Sequence, residues 1–199
     1  MILTEVTTIP ALALPVQALK DQLRLGSGFV DAGMQDGLID AYLRAAIAAV
    51  EGRIGKVLIA RRFNWRIEDW RSQIEQALPV APVSTIVSVT LYDANGVATV
   101  LAGSSYALVQ DTHRPKLVAR GILLPTVFQD GRIEVVFDAG FGAAWANVPA
   151  DLQQAVLLLA AGYYENRNDA AAQPAGLPQS VQVLIERWRT VRVLGGGAA

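Results

Sequence analysis

The sequence PADLQQAVLLLAAGYYENRN, residues 149–168, decides the fold class, because it predicts a long helix with a wide apolar face. The main stripe recurs at three- and four-residue steps, as on the buried side of an amphipathic helix, and consists of Leu152, Val156, Leu159 and Tyr163. Further apolar residues spread around the other side, namely Leu157, Leu158 and Ala161. A helix that packs on one face alone does not need this second surface. The sequence therefore predicts that another subunit covers part of this helix.

Two more helices are predicted ahead of residue 60. Pro15 suits the first turn of a short helix, and Asp36 is the expected N-cap of a longer one. The buried stripe of the longer helix would be Ile39, Leu43, Ile47, Val50 and Ile54. Four alanines between these positions would let another helix approach closely. We therefore predict subunit-interface residues on both long helices, namely Ala46, Ala49, Leu157, Leu158 and Ala161.

Between the helices, the hydrophobic period changes to two, which predicts strands. Phe63, Trp65 and Ile67 alternate with polar residues, and DANG at 93–96 has the composition of a hairpin turn. The other strand candidates are a segment around Ile86, Tyr106–Val109, Lys116–Ala119 and Arg132–Asp138. We predict a small, mostly antiparallel sheet of four to six strands inserted into a helical protein.

These segments predict one α+β domain over residues 1–199, a helical core with a β insertion. Its parts are an irregular N-terminal arm at 1–14, N-terminal helices at 15–60, a β-rich insertion at 61–140, C-terminal helices at 149–193 and a flexible tail at 194–199. The last helix is expected to start at Pro178, with its inward residues at Val181, Leu184, Ile185 and Trp188. The tail LGGGAA has neither bulk nor periodicity.

The composition argues against several function classes. Seventeen basic and eighteen acidic residues give a net charge of −1, which argues against a large basic surface around which nucleic acid wraps. The absence of cysteine excludes disulfides, thiolate metal sites and cysteine nucleophiles, and the single histidine, His113, has no partner for general-base work. We therefore expect no enzyme activity, catalytic residue, cofactor or metal. The start of the chain does not resemble a signal peptide, and no run of about 18 apolar residues predicts a membrane span.

A cluster near the C-terminus combines Trp188 with arginines. Arg187, Arg189 and Arg192 surround it, and tryptophan and arginine are the residue types that dominate binding hot spots. From the residues alone, Trp188 could either form part of a binding surface or pack inside its own subunit.

Two other classes of function remain as alternatives. An enzyme or small-ligand binder would have its pocket between the β insertion and the helices, yet the sequence offers only scattered aspartates, arginines and one histidine for it. A helix-turn-helix would use the two N-terminal helices. However, the intervening GSGFVDAGMQD at 26–36 is too long for its tight turn, and alanines occupy the middle of the second helix.

Taken in order, several segments resemble the head-tail connector (adaptor) proteins of tailed phages and gene transfer agents. They are LKDQLRL at 19–25, AAIAAVEGRIG at 45–55, LPVAPVSTIVSVTLYDANG at 78–96, FDAGFG at 137–142, VPADLQQAVLLLAAGYYENR at 148–167 and ERWR at 186–189. Each is a short pattern of structural residues, and the ordered set spans most of the chain from Leu19 to Trp188.

This resemblance implies a helical connector fold in a dodecameric ring, made in the bacterial cytoplasm and located in the neck of a virion or phage-like particle. Such a ring lies below the portal, extends the DNA channel without reading base sequence, contacts no membrane and supports the next tail component, the stopper. It also implies that the free subunit is monomeric. The portal-binding residues carried over are Arg187, Trp188, Arg189, Arg192 and Leu194.

Overall fold

In this α+β chain, a run of strands lies between an N-terminal and a C-terminal pair of helices. The computed structural model describes residues 1–25, 35–127, 129–167 and 176–189. In chain order the elements are β1 (Ile2–Glu5), α1 (Val16–Gln22), α2 (Asp36–Ile54), β2 (Arg61–Ile67), β3 (Glu75–Ala77), β4 (Val83–Tyr92), β5 (Ala98–Val100), β6 (Tyr106–Val109), β7 (Lys116–Ala119), β8 (Arg132–Ala139), α3 (Ala150–Glu165) and α4 (Gln179–Ile185). Short 3-10 turns occupy Ala11–Ala13, Trp145–Asn147 and Glu186–Trp188.

The helices form the first of two hydrophobic cores, with α2 and α3 packed against each other and α1 and α4 against α3. The predicted stripes face this core, which buries Ile39, Leu43, Ile47, Val50, Ile54, Leu152, Val156 and Leu159. Helix α2 is capped at its C-terminal end by Gly55, which has a left-handed φ of 67° and donates its N–H to the carbonyl of Glu51 at 2.8 Å. On the outer side, Arg44 binds Asp40 at 2.6 Å.

The β insertion contains two antiparallel sheets. The larger has the strand order β1-β2-β8-β4-β5, and the smaller has the order β3-β7-β6. Strand β4 pairs with β8 along most of its length, with two register shifts before Ser88. Strand β5 pairs with β4 only at Thr90–Tyr92, so the first half of β4 has a sheet neighbour on one side only.

The second hydrophobic core lies in the β insertion. It buries the inward-facing residues of β2, β4 and β8, among them Phe63 and Phe137, whose rings stack with centroids 5.7 Å apart. The alternation in β8 is complete, because every second residue from Ile133 to Ala139 is buried. This pattern is the one that a strand with one buried face requires.

An ion-pair cluster joins the two cores. Arg61 on β2 binds Glu51 on α2 at 2.6 Å and Glu5 on β1 at 2.8 Å. The other oxygen of Glu51 accepts the backbone N–H of Leu58 at 2.7 Å, in the connection between α2 and β2. Because only 7% of the Arg61 side chain and 11% of the Glu51 side chain are exposed, this cluster fixes the helices against the sheet.

The structure corrects three predictions. Residues 2–5 of the predicted irregular arm form strand β1, paired with β2. The insertion has two sheets where one was expected, because β3, β6 and β7 pair with one another and not with β8. Asp36 is the first helical residue and not the cap, since Gln35 holds the cap position and Asp36 pairs with Lys20 of α1.

Candidate assembly interface

The aromatic ring of Trp188 lies where the C-terminal segment meets three other parts of the chain. Its nitrogen donates to Oδ2 of Asp151, at the start of α3, over 2.7 Å. Phe141, after β8, meets the indole edge to face at 5.4 Å, and His113, in the β6–β7 loop, lies at 6.3 Å with an interplanar angle of 25°. We call these four residues the Trp188 cluster. The cluster connects the helices to the β insertion.

Asp151 is the polar centre of the Trp188 cluster. Besides the indole, Oδ2 binds the guanidinium of Arg187 at 2.7 Å, while Oδ1 accepts the N–H of Leu152 at 3.0 Å. A carboxylate in the first turn of a helix also interacts favourably with the helix dipole. Asp151 therefore holds two of the predicted portal-binding residues, Arg187 and Trp188, in fixed positions.

The loop that carries His113 is held by Asp111. Oδ1 of Asp111 accepts the backbone N–H groups of His113 at 2.6 Å and of Arg114 at 2.7 Å. These two hydrogen bonds, that of Arg114 first, lower the pKa of Asp111 below its ordinary value. The loop therefore presents the imidazole to Trp188 in a defined orientation, with Asp111 ionised at neutral pH.

The described portal-binding candidates differ in how much of each side chain is exposed to solvent. The side chain of Arg187 is 69% exposed despite its contact with Asp151, and that of Arg189 is 41% exposed and pairs with Glu186 at 3.1 Å. Trp188 is half-buried. Arg192 and Leu194 lie outside the described residues, as do the tail 194–199 and most of the loop before α4.

The small residues of α2 that face solvent are not those predicted. Ala46 has no exposed surface, because it packs in the helical core, and Ala49 is half-buried. The exposed side of α2 instead carries five small residues at three- and four-residue steps, Gly37, Ala41, Ala45, Ala48 and Gly52. We call this set the α2 small-residue stripe. The sequence contains a signal for the burial of Ala46, because helical periodicity places it on the same face as Ile47 and Val50 of the apolar stripe.

On α3, the predicted second apolar surface is partly present. Leu157 and Leu158 are half-buried, but Ala161 is buried at 8% exposure against the helical core. Near the end of this helix, Tyr164 packs edge to face on Tyr42 of α2 with centroids 6.3 Å apart. More of the apolar surface of α3 is therefore covered by its own subunit than the sequence alone predicts.

Two grooves lie between β4 and β6. One has a volume of about 330 Å³ and includes Ser84, Asp111 and Phe141 in its walls, and the other, of about 410 Å³, includes Thr85 and Leu108. Ser84 and Gln110 contribute to both, so the grooves are continuous. Their polar side chains are dispersed along strand edges and do not converge on one point, which does not favour the small-ligand alternative.

Two searches of the described residues bear on other function classes. Across residues 1–25, 35–127, 129–167 and 176–189, no three acidic or histidine side chains gather closely enough to hold a metal ion. Within the same ranges, none of the helices combines the length and hydropathy that crossing a bilayer requires.

The fold and these surfaces define a class of protein, an α+β structural subunit. Over 98% of its length, this chain is similar to chains in three solved assemblies, and 99% of each of those chains is covered. The first is the neck of an empty gene transfer agent (GTA) particle computed with C6 symmetry, with 52% identity and a TM-score of 0.88. The second is the virion of a native GTA particle, with 53% identity and a TM-score of 0.85. The third is the neck of a native GTA particle computed with C12 symmetry, with 50% identity and a TM-score of 0.82.

No family model matches the chain, and no curated protein matches it. Identity of 50–53% over nearly the whole of both chains nevertheless shows common descent. The chain belongs to the head-tail connector (adaptor) family of gene transfer agents and tailed phages, and it is a structural head-tail connector subunit. The predicted family and the predicted α+β class are confirmed.

Proposed function

We propose that this chain assembles as a ring of twelve copies below the portal in the neck of a phage-like particle. In that position the ring extends the DNA channel, joins head to tail and supports the next neck component, the stopper. The role is non-catalytic and needs no cofactor. The subunit is made in the bacterial cytoplasm and remains monomeric until the portal orders it.

The observation that carries this proposal is full-length similarity to chains from necks computed with both C6 and C12 symmetry. A ring of twelve identical subunits satisfies both symmetries, whereas a ring of six satisfies only the first. The similarity includes the β insertion as well as the helices.

A closed ring uses heterologous contacts, in which one surface of a subunit meets a different surface of its neighbour. The α2 small-residue stripe is one such surface, because its alanines and glycines let another helix approach closely. The half-buried Leu157 and Leu158 are candidates for the opposite one. Ala49 lies at the margin of the stripe, while Ala45 and Ala48 take the interface role predicted for Ala46, which is buried.

The portal contact is assigned to Arg187, Trp188 and Arg189, with Arg192 and Leu194 beyond the described residues. Asp151 supports this assignment, because it holds the indole and one guanidinium at fixed positions and so lowers the entropy lost on binding. The exposed parts of Arg187 and Arg189 then offer charge to an acidic portal surface. DNA would pass through the ring without base-specific contacts, as the net charge of −1 favours.

The ring surface is tested by placing a bulky charge on the α2 small-residue stripe. Ala48→Arg should fold normally but fail to form rings on purified portal, as seen by electron microscopy. Val97→Arg, at an exposed apolar position in the β4–β5 hairpin, is the matched control and should assemble. Normal rings from Ala48→Arg would rule out this helix face as a subunit contact.

The portal contact is tested separately by removing two exposed guanidinium groups. Arg187→Ala combined with Arg189→Ala should weaken co-purification with portal by about tenfold or more. The control removes two exposed arginines elsewhere, Arg53→Ala with Arg66→Ala, and should bind as the wild type does. Equal binding by both double variants would defeat the assignment of the C-terminal cluster.

A further inference from the structure

The strand registers define two ends of the β insertion. The end next to the helices contains the start of β2, the end of β8 and the β6–β7 loop, so it carries Phe141 and His113 of the Trp188 cluster. The other end, where β2 ends at Ile67 and β8 begins at Arg132, we call the distal end. The eight residues of β8 span about 25 Å between the two ends. The distal end is therefore well separated from the proposed portal contact.

Large apolar side chains are exposed on several loops of the distal end. Ile122 and Leu123, in the loop after β7, are 90% and 50% exposed, and Ile74, just before β3, is 63% exposed. On the β4–β5 hairpin at the same end, Val97 and Val100 are 62% and 67% exposed. Exposed apolar side chains that are grouped in this way mark a surface that a partner covers.

The segments that carry Ile74 and Ile122 lie side by side. The N–H of Ala119, at the end of β7, donates to the carbonyl of Ile74 at 2.9 Å. The loop after β7 therefore starts directly beside the segment before β3. We call the surface formed by Ile74, Ile122 and Leu123 the distal patch.

The loop that forms the tip of the distal patch is anchored on both sides. Before the tip, the N–H of Arg120 donates to the carbonyl of Ser105 at 3.0 Å. After the tip, Leu124 is only 2% exposed, and the carbonyl of Pro125 accepts the indole N–H of Trp70 at 2.9 Å. A surface that is ordered before binding loses less conformational entropy when a partner binds.

Two arginines flank the distal patch. Arg71 and Arg120 are exposed, and neither guanidinium has an ion-pair or hydrogen-bond partner among the described residues. The acidic residues on the same loop are otherwise engaged, since Glu75 pairs with Lys116 at 2.7 Å and Asp69 accepts a backbone N–H at 2.8 Å. Arginine is enriched at protein interfaces, and a complementary surface would place carboxylates opposite these two charges.

We propose that the distal patch binds a second neck protein, which presents an apolar surface with carboxylates at its rim. Under the function proposed above, the C-terminal residues beside the opposite end contact the portal. The second protein is then the next neck component, the stopper, and this assignment rests on that function. Neighbouring copies in a ring of twelve differ by a rotation of about 30°, so their distal patches point in nearly the same direction and cannot cover one another.

The test measures the binding of purified stopper to the immobilised full chain on a biosensor. Ile122→Asp combined with Leu123→Asp places charge on the exposed tip and should weaken the dissociation constant by about a hundredfold or more. The matched control, Val6→Asp with Leu12→Asp, changes exposed apolar residues outside the distal end and should bind as the wild type does.

A second pair of changes tests the charge of the partner surface. Arg71→Glu combined with Arg120→Glu should weaken binding of the stopper by about tenfold or more, because the new carboxylates repel those at its rim. Binding that is unchanged, or stronger, in this variant would contradict the acidic rim.

Equal affinity of the stopper for the wild type and for the Ile122→Asp, Leu123→Asp variant would overturn the proposal, as would a stopper that binds neither. Normal rings on portal would remain possible in both cases, so this proposal and the proposed function fail separately. Self-association of the wild type in light scattering that this variant abolishes would show that a second copy covers the patch. Duplex DNA that binds the wild type more tightly than the stopper does, and is lost in the arginine variant, would assign the patch to nucleic acid. Either result would rule the proposal out.

Discussion

Trp188 and Asp151 lie 37 positions apart in sequence, yet the indole N–H donates to the Asp151 carboxylate over 2.7 Å. This bond attaches the C-terminal turn to the first turn of α3. We expect Asp151→Ala to lower the free energy of unfolding by about 2 kcal/mol, because it removes a charged acceptor from a half-buried donor. Urea denaturation followed by tryptophan fluorescence measures this loss.

The control for Asp151→Ala is Glu186→Ala, which breaks the exposed pair with Arg189 in the same turn. Exposed pairs contribute about 0–1 kcal/mol, so this variant should unfold almost as the wild type does. Equal losses in the two variants would show that the Trp188 cluster does not stabilise the fold.

A second prediction concerns the ion-pair cluster between the two cores. Glu51→Ala removes the main partner of Arg61, whose side chain is only 7% exposed, and leaves Glu5 as its remaining acidic contact. We expect a loss of about 3 kcal/mol in the free energy of unfolding, since an almost buried charge then keeps only one of its two acidic partners. Glu75→Ala breaks the exposed Lys116 pair and should cost less than about 1 kcal/mol. Denaturant titration that ranks Glu75→Ala as the more damaging change would contradict this account.

A third prediction concerns Gly140, which follows β8 with a φ of 136°. A Cβ atom at this position would lie 2.4 Å from the Cα of Ala60, inside backbone that cannot move aside. We expect Gly140→Ala to cost about 3 kcal/mol, from strain and overlap together. Gly52→Ala is the opposite case, because Gly52 is helical and a Cβ there meets nothing within 4 Å. That change should stabilise the protein by up to about 1 kcal/mol, and thermal unfolding of both variants tests the contrast.

The sequence predicted those elements whose pattern depends on local contacts. Strands Tyr106–Val109 and Lys116–Ala119 have the predicted bounds, because turn residues on both sides delimit each of them. The stripe on α2 is buried as predicted, since periodicity fixes which helix face meets a core. In the same way, the family could be identified because its segments occur in order along the chain.

Features that depend on distant partners were not predictable. Strand β1 forms because Ile2 to Glu5 meet the open edge of β2 about 60 residues later, and their sequence has no strong strand pattern of its own. The role of Asp151 was missed for the same reason, since nothing local shows that Trp188 lies nearby. The burial of Ala161 within its own subunit is not predictable either, because composition indicates apolar surface but not which neighbour covers it.

The last prediction concerns Lys56, which is 1% exposed at the junction of α2 with the β insertion. Burial lowers the pKa of this lysine below its usual 10.5, although the charge of Asp111 opposes the shift. Between the folded and unfolded pKa values, the unfolded chain binds a proton that the folded chain does not. The contribution of Lys56 to the free energy of unfolding therefore increases as the pH rises from the folded to the unfolded pKa. This increase is complete above the unfolded pKa.

Lys56→Met removes the titrating group, so the stability of the variant relative to the wild type should decrease as the pH rises from the lowered folded pKa towards the usual 10.5. Burial also raises the pKa of Tyr106, which titrates in the alkaline range, but this group is present in both proteins and cancels in the difference. Denaturant titrations of both proteins at matched pH values give that difference directly. A difference that stays constant across the range would mean that Lys56 has the same proton affinity in the folded and unfolded chains, contrary to its burial.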